Sequence, residues 1–172
     1  MLKSQTNYST YLDLAYTYIG VKELKGKGTH PRLAYLFKAS KTWITDDDIA
    51  WCAAFIAGIL SLTNIPVIKG FESSLTWLNY GVKIPKPQVG ALAIFKRKPS
   101  GGHIGFVVGI SACGNIIYVL GGNQQDSVNI STFDLRKRQA FFRVPVGIKL
   151  DTTLKSYKPL NTASIKESSK EV

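Results

Sequence analysis

An α+β fold, helices in the first half and an antiparallel sheet in the second, is what this sequence predicts, and three observations lead there. As far as Asn79 the apolar residues recur at helical spacing or in one continuous run; after Pro85 and Pro87 they fall into short segments parted by turn residues; and no internal repeat relates the halves. With 172 residues the chain suits one compact domain and not two catalytic ones. Its 45% hydrophobic and 11% aromatic content is enough to bury a core, which excludes a disordered or fibrous chain.

Tyr8, Tyr11, Leu12, Ala15, Tyr18 and Ile19 define an amphipathic helix, with Asn7 as cap and Gly20 as stop. Gly26, Gly28 and Thr29 form a basic, exposed loop, in which His30 is expected to be exposed and unpartnered. Pro31 then opens a short helix carrying Leu33, Leu36 and Phe37. Asp46, Asp47 and Asp48 precede the apolar run from Trp51 and are expected to cap a buried helix ending near Asn64 and Pro66, with Cys52 in its first turn. That run is too short to span a bilayer. A short helix over 73–79 follows, with Leu75, Trp77 and Leu78 as its contacts. Strands are predicted at 89–95, 104–110 (opened by His103), 116–120, 128–131 and 141–146. Residues 1–148 read as a single domain, and 149–172, rich in Ser, Thr and Lys, as a flexible tail.

The formal charge is +11, of which +9 belongs to the first 148 residues. That balance favours a polyanionic partner: nucleic acid, an anionic membrane or a bacterial wall. No basic recognition helix or aromatic-plus-basic strand motif supports specific nucleic-acid binding. Two cysteines, Cys52 and Cys113, are too few for a disulfide framework and lack zinc-site spacing, so one of them is a candidate reactive thiol. The first twenty residues lack the apolar stretch of a secretory signal, and the expectation is synthesis in the cytoplasm.

A thiol nucleophile needs a helix N-terminus to favour the thiolate, an imidazole to take and return the proton, and a third group to hold the ring's tautomer. Cys52 and His103 supply the first two. Centring the turn between the 104–110 and 116–120 strands on Cys113 pairs residue 103 with 123, which puts Asn123 on the face of His103; a one-residue slip favours Gln124 instead. Gly105, Val107 and Gly109 share that face and are small enough to admit the Cys52 helix. Taken singly, each residue has a plainer role: Cys52 as core, His103 as a hairpin surface residue, Asn123 as a turn residue.

Trp51-Cys52-Ala53-Ala54-Phe55 after an acidic stretch, Gly102-His103-Ile104-Gly105-Phe106-Val107-Val108-Gly109 and Leu120-Gly121-Gly122-Asn123-Gln124 resemble, in order, motifs of the CHAP amidase/endopeptidase family. Gly20-Val21-Lys22-Glu23, Trp77-Leu78-Asn79-Tyr80-Gly81 and the segment from Pro87 to Phe95 are also similar to family segments, so the resemblance runs from about Tyr11 to Val146. The resemblance implies a papain-like fold, of the superfamily that includes the NlpC-type peptidases, and a cysteine peptidase or amidase that cuts an amide of peptidoglycan. On matching positions Cys52 is the nucleophile, His103 the general base and acid, and Asn123 the orienting residue, with Gln124 and Asp126 as alternatives because a Glu common in the family between the His and that Asn has no counterpart here. Trp51, Glu23, Trp77 and Gln124 are the substrate-binding candidates, against plainer roles as core aromatics and a solvated helix-end charge. Some relatives bind calcium through acids before the cysteine; three consecutive acids are read here as helix caps instead, and the mechanism requires no metal or cofactor.

The expected partner is the peptidoglycan stem peptide, with anionic envelope polymers and, for an injected effector, an immunity protein. A phage endolysin released through a membrane hole and a lytic effector both suit such a chain. A non-catalytic basic protein that binds wall or nucleic acid is the alternative, and an acyltransferase or transglutaminase-like enzyme shares the same triad.

Overall fold

The computed structural model describes residues 8–26, 28–97, 101–160 and 165–167. Helix α1 (Tyr8–Tyr16) buries Tyr11, Leu12 and Ala15, as its spacing requires. It stops before Tyr18, and the chain turns through Gly20, whose N–H donates to Val128 O at 2.9 Å. The predicted cap, Asn7, lies outside the described residues. Helix α2 (Pro31–Ser40) opens on Pro31, whose missing N–H costs nothing at a first turn. His30 is its N-cap and accepts the Arg32 N–H at Nδ1, 3.2 Å, so the expectation of an unpartnered histidine is corrected.

Helix α3 (Cys52–Leu62) is buried all round from Cys52 to Leu60. Gly58 lets it lie against α2, since a Cβ there would stand 2.7 Å from Leu36 Cβ. The three acids do not cap it: its N-cap is Trp51, without a side-chain bond, and no acid lies in its first turn. They are held in a turn of their own, in which Asp46 Oδ1 accepts the Asp48 N–H at 3.0 Å. Asp47, buried, accepts the N–H groups of His30 (2.9 Å) and Leu24 (3.3 Å) at Oδ2 and so ties two loops together.

A 3-10 helix (Ser74–Asn79) leads into the sheet. Its strands are β1 (Val82–Ile84), β2 (Leu92–Lys96), β3 (Gly102–Ile110), β4 (Ile116–Gly121), β5 (Asn129–Asp134), β6 (Ala140–Val144) and β7 (Lys166–Glu167), in the order β1-β6-β2-β3-β4-β5-β7. Six pair antiparallel, and β7 adds in parallel to β5. The fold is thus α+β. Strand β2 starts later than predicted because Gly90, at φ +93°, sits in a turn whose carbonyl accepts the Tyr11 hydroxyl at 2.6 Å, anchoring α1 to the sheet.

The sheet has two apolar faces. Leu92, Ile94, Ile104, Phe106 and Val108 meet the helices, while Ala93, Phe95, Val107, Val119 and Phe133 pack together on the other side. Helix α3 therefore covers the even-numbered face of β3, not the Gly105 and Val107 face expected from residue size. Gly105 instead makes room for Val119, whose Cγ1 would lie 2.3 Å from an added Cβ.

The segment after Lys149 differs from the expected tail where it is described. Lys155 O accepts the Ile110 N–H (2.9 Å), the Tyr157 N–H donates to Val108 O (2.9 Å), and the Tyr157 ring packs against Tyr8 and Tyr16. Lys158 pairs with Asp13 at 3.0 Å. Tyr157, together with Leu154 packed against the core and a free stretch of β3 backbone, docks a segment whose composition is mostly polar.

Candidate active site

Cys52 is the first residue of α3, where the backbone N–H groups of the opening turn have no helical acceptor. The N–H groups of Ile104, of Ala53 and of Cys52 itself favour its thiolate. The β3–β4 ladder runs from Ile110↔Ile117 to Phe106↔Leu120, and closer to His103 strand β4 has turned away, leaving the end of β3 to the thiol. Burial pushes the thiol up from its ordinary range, outweighing the nearby Arg97 guanidinium and the three N–H groups that favour the thiolate.

His103 is 1% exposed and lies beside Phe95 and Phe133, with ring centroids 6.3 and 6.0 Å away. Its Nε2 meets Gln124 Oε1 at 2.9 Å. The amide of Gln124 cannot turn round, because its Nε2 donates to Asn129 O (2.8 Å) and Asn129 Oδ1 (3.0 Å). Asn129 is held in turn: its Oδ1 accepts from Ser131 Oγ at 2.8 Å, and its Nδ2 donates to Gln124 O at 2.6 Å. The carbonyl of Gln124 therefore faces the ring, the proton sits on His103 Nε2, and Nδ1 keeps its lone pair. Nδ1 is buried with no partner among the described residues. Burial, aided by Arg97 and opposed by the Gln124 bond, lowers the His103 pKa to about 4, so the resting site holds a neutral imidazole beside a neutral thiol.

Asn123 makes no such bond. The register at the site is the one expected, since Phe106 pairs with Leu120 and Val107 with Val119, and a bulge between Val107 and Gly109 absorbs the one-residue shift nearer the turn. Strand β4 ends at Gly121, however, and alternation of faces ends with it. Asn123, Gln125 and Asp126 all have positive φ, a tight turn that drives Gln124 inward and leaves Asn123 half-buried and Asp126 exposed. The residue beside His103 is Gln124, fully buried with its carbonyl on the ring.

Trp51 and Trp77 are fully buried. The Trp51 ring packs on Phe55 and on the backbone of Gly122, and its indole N–H donates to Glu23 Oε2 at 3.2 Å. Trp77 donates to Phe71 O at 2.8 Å and packs edge-on against Tyr80. Neither lines a groove. Glu23 is half-buried, and desolvation raises its pKa despite the indole bond. The tryptophan at the surface is Trp43, 65% exposed, which with Ile44, Ile49, Ala50, Gly70, Glu72 and Ser73 lines a groove of about 430 Å³. Ala50 lies two residues before Cys52, and Ser74, next to Ser73, contacts Gly102 beside His103. A larger cleft of about 560 Å³, among Lys86, Cys113, Arg136 and Lys155, lies at the Ile110 end of β3, roughly 25 Å from His103 at strand rise.

The carboxylates of Asp46, Asp47 and Asp48 lie within 4.8 Å of one another, and Asp47 Oδ1 is buried without a partner among the described residues. An all-oxygen set with one orphaned carboxylate oxygen fits a hard cation such as calcium, and the tight turn supplies the bend that consecutive acids need.

A buried helix that delivers a cysteine to the N–H of Ile104, at the end of the antiparallel strand that carries His103, is the arrangement of papain-like folds. The family model described as CHAP domain matches residues 44–123. A CHAP domain points to an amidase or peptidase type of hydrolase acting on peptidoglycan. No curated protein matches the chain. Among the described residues no helix is long and apolar enough to cross a membrane.

Proposed function

We propose that this protein cleaves an amide bond of peptidoglycan with Cys52 as nucleophile and His103 as general base and acid, in the manner of a phage endolysin or an injected lytic effector. The observation that carries the reading is the locked Gln124 amide, whose carbonyl accepts the His103 Nε2–H and leaves Nδ1 with its lone pair, one residue from the strand N–H of Ile104 that favours the Cys52 thiolate. Nδ1 takes the thiol proton as sulfur attacks the carbonyl carbon, and the N–H of Cys52 steadies the oxyanion. The imidazolium returns that proton to the leaving amine. Water, deprotonated by Nδ1, then opens the thioester and frees the acid and the thiol. Gln124 is a positioning residue, in the role first assigned to Asn123.

The groove beside Trp43 is the proposed seat of the stem peptide, and the net charge of +11 favours approach to an anionic envelope. The wall is reached through a holin-type lesion or a secretion apparatus.

Mass spectrometry of purified peptidoglycan, of several chemotypes, digested with wild type and with Cys52→Ala tests the reading. New fragments that vanish with Cys52→Ala support it and name the bond. Fragments released equally by both proteins, or by neither, overturn it in favour of a basic wall-binding protein.

A further inference from the structure

Arg97 is a cation beside the thiol and imidazole that nothing in the mechanism above uses. It follows the last residue of β2 and extends the β2–β3 ladder by one step, its N–H donating to Gly101 O at 3.1 Å. Phe95 is the cross-strand partner of His103. Arg97, two residues further on, shares the face of both and stands diagonal to His103, a separation of about 7–8 Å that a long side chain bridges.

The side chain is half-buried, and its Nε is buried with no hydrogen-bond partner among the described residues. No carboxylate among them lies within ion-pair distance of it. A half-buried guanidinium with a buried, unpartnered Nε attracts an anion that can complete its hydrogen bonds. Its field acts on Cys52 and on His103 alike, lowering the proton affinity of both. A cation that lowers both does little to move a proton from sulfur to nitrogen, so the resting pair is not what the charge serves.

We propose that Arg97 is the specificity residue for a free carboxylate of the substrate, held close to the scissile amide by the guanidinium fork. The proposal rests on the hydrolase reading and deepens it: the substrate is an acidic peptide with an ionised carboxylate near the cleaved bond, and the same peptide amidated at that carboxylate is disfavoured. The planar donors of arginine match a carboxylate in a bidentate way that lysine does not.

The test uses two wall fragments identical but for one carboxylate or carboxamide next to the cleaved bond. Wild type is expected to prefer the free carboxylate by about 30-fold or more in kcat/KM, expressed mainly in KM. Arg97→Gln should bring the ratio to within about threefold, and Arg97→Lys should keep part of it. Calorimetric binding of the two fragments to Cys52→Ala, with and without Arg97→Gln, reads the same preference with no turnover. Equal treatment of both fragments by wild type overturns the proposal, and so does an Arg97→Gln variant that slows both by the same factor, which would mark a role in transition-state charge. If Cys52→Ala binds with the preference while wild type cuts neither fragment, the hydrolase reading fails and the carboxylate site stands.

Discussion

The chain's two cysteines occupy opposite surroundings. Cys52 is buried at the first residue of a helix, its thiol pushed up by desolvation; Cys113 sits exposed in the β3–β4 hairpin turn, its thiol lowered by the Ser111 hydroxyl at 3.4 Å and by backbone and Arg136 contributions. The more ionisable thiol at rest has no imidazole or carboxamide network around it among the described residues. The proposed nucleophile has both, and a pKa unsuited to attack until substrate and base share the site. Resting reactivity and catalytic position are therefore properties of different residues here.

The largest expected effect separates the two. Cys52→Ala should lower peptidoglycan release by about 10³-fold or more, while Cys113→Ser should stay within about twofold of wild type, as read from soluble fragment release. Comparable losses in both would break the contrast. Alkylation should run the other way: with iodoacetamide at neutral pH, peptide mapping should find Cys113 modified about 10²-fold faster than Cys52, since attack needs both thiolate and access.

Gln124 sharpens what the buried cysteine has and the exposed one lacks. Gln124→Leu removes the acceptor that fixes the His103 tautomer and strands the Asn129 acceptors, so activity should fall about 10- to 100-fold, whereas Asn123→Ala should cost less than about threefold. Equal losses would return the orienting role to Asn123. The same burial gives His103 a thermodynamic signature. Its pKa is about 6.5 in the unfolded chain and about 4 in the fold, so between those values the unfolded state binds more protons. Stability should drop by roughly 3 kcal/mol as pH falls from 6.5 through 4, and melting of His103→Asn should lack much of that slope.

The smallest effect concerns the acidic turn ahead of Cys52. Calcium at 100 times its dissociation constant should stabilise the protein by about 2.7 kcal/mol, and chelation should remove that gain. In Asp47→Asn, which keeps an oxygen for the His30 and Leu24 N–H groups, calcium should leave the melting temperature unchanged.

Much of the architecture was legible because local rules governed it. Pro31 starts α2, the apolar run from Trp51 makes α3, and the turn residues around 111–115 divide β3 from β4. Strand β1 has no signal in the sequence because Val82 and Lys83 are exposed and it lasts three residues. Of the site, Cys52 and His103 stood out by their place at the starts of their elements. Asn129 and Ser131 did not, since their value lies in holding Gln124 and nothing in an isolated strand marks that. Trp43 had no signal beyond being aromatic, and Arg97 none beyond its charge.

By itself the sequence determined the α+β order, a cysteine at a helix start, a histidine at a strand start and a hairpin register that brings 103 close to 123, because periodicity and turn chemistry act over a few residues. Only the tertiary structure decided which face of β3 the helix covers, that Gln124 and not Asn123 meets the imidazole, that the segment after Lys149 docks on β3, and that Arg97, its Nε without a partner among the described residues, stands close enough for its charge to act on both thiol and imidazole. Those outcomes depend on where one strand stops alternating and on which buried polar atoms find partners, and such questions are settled between elements distant in the chain.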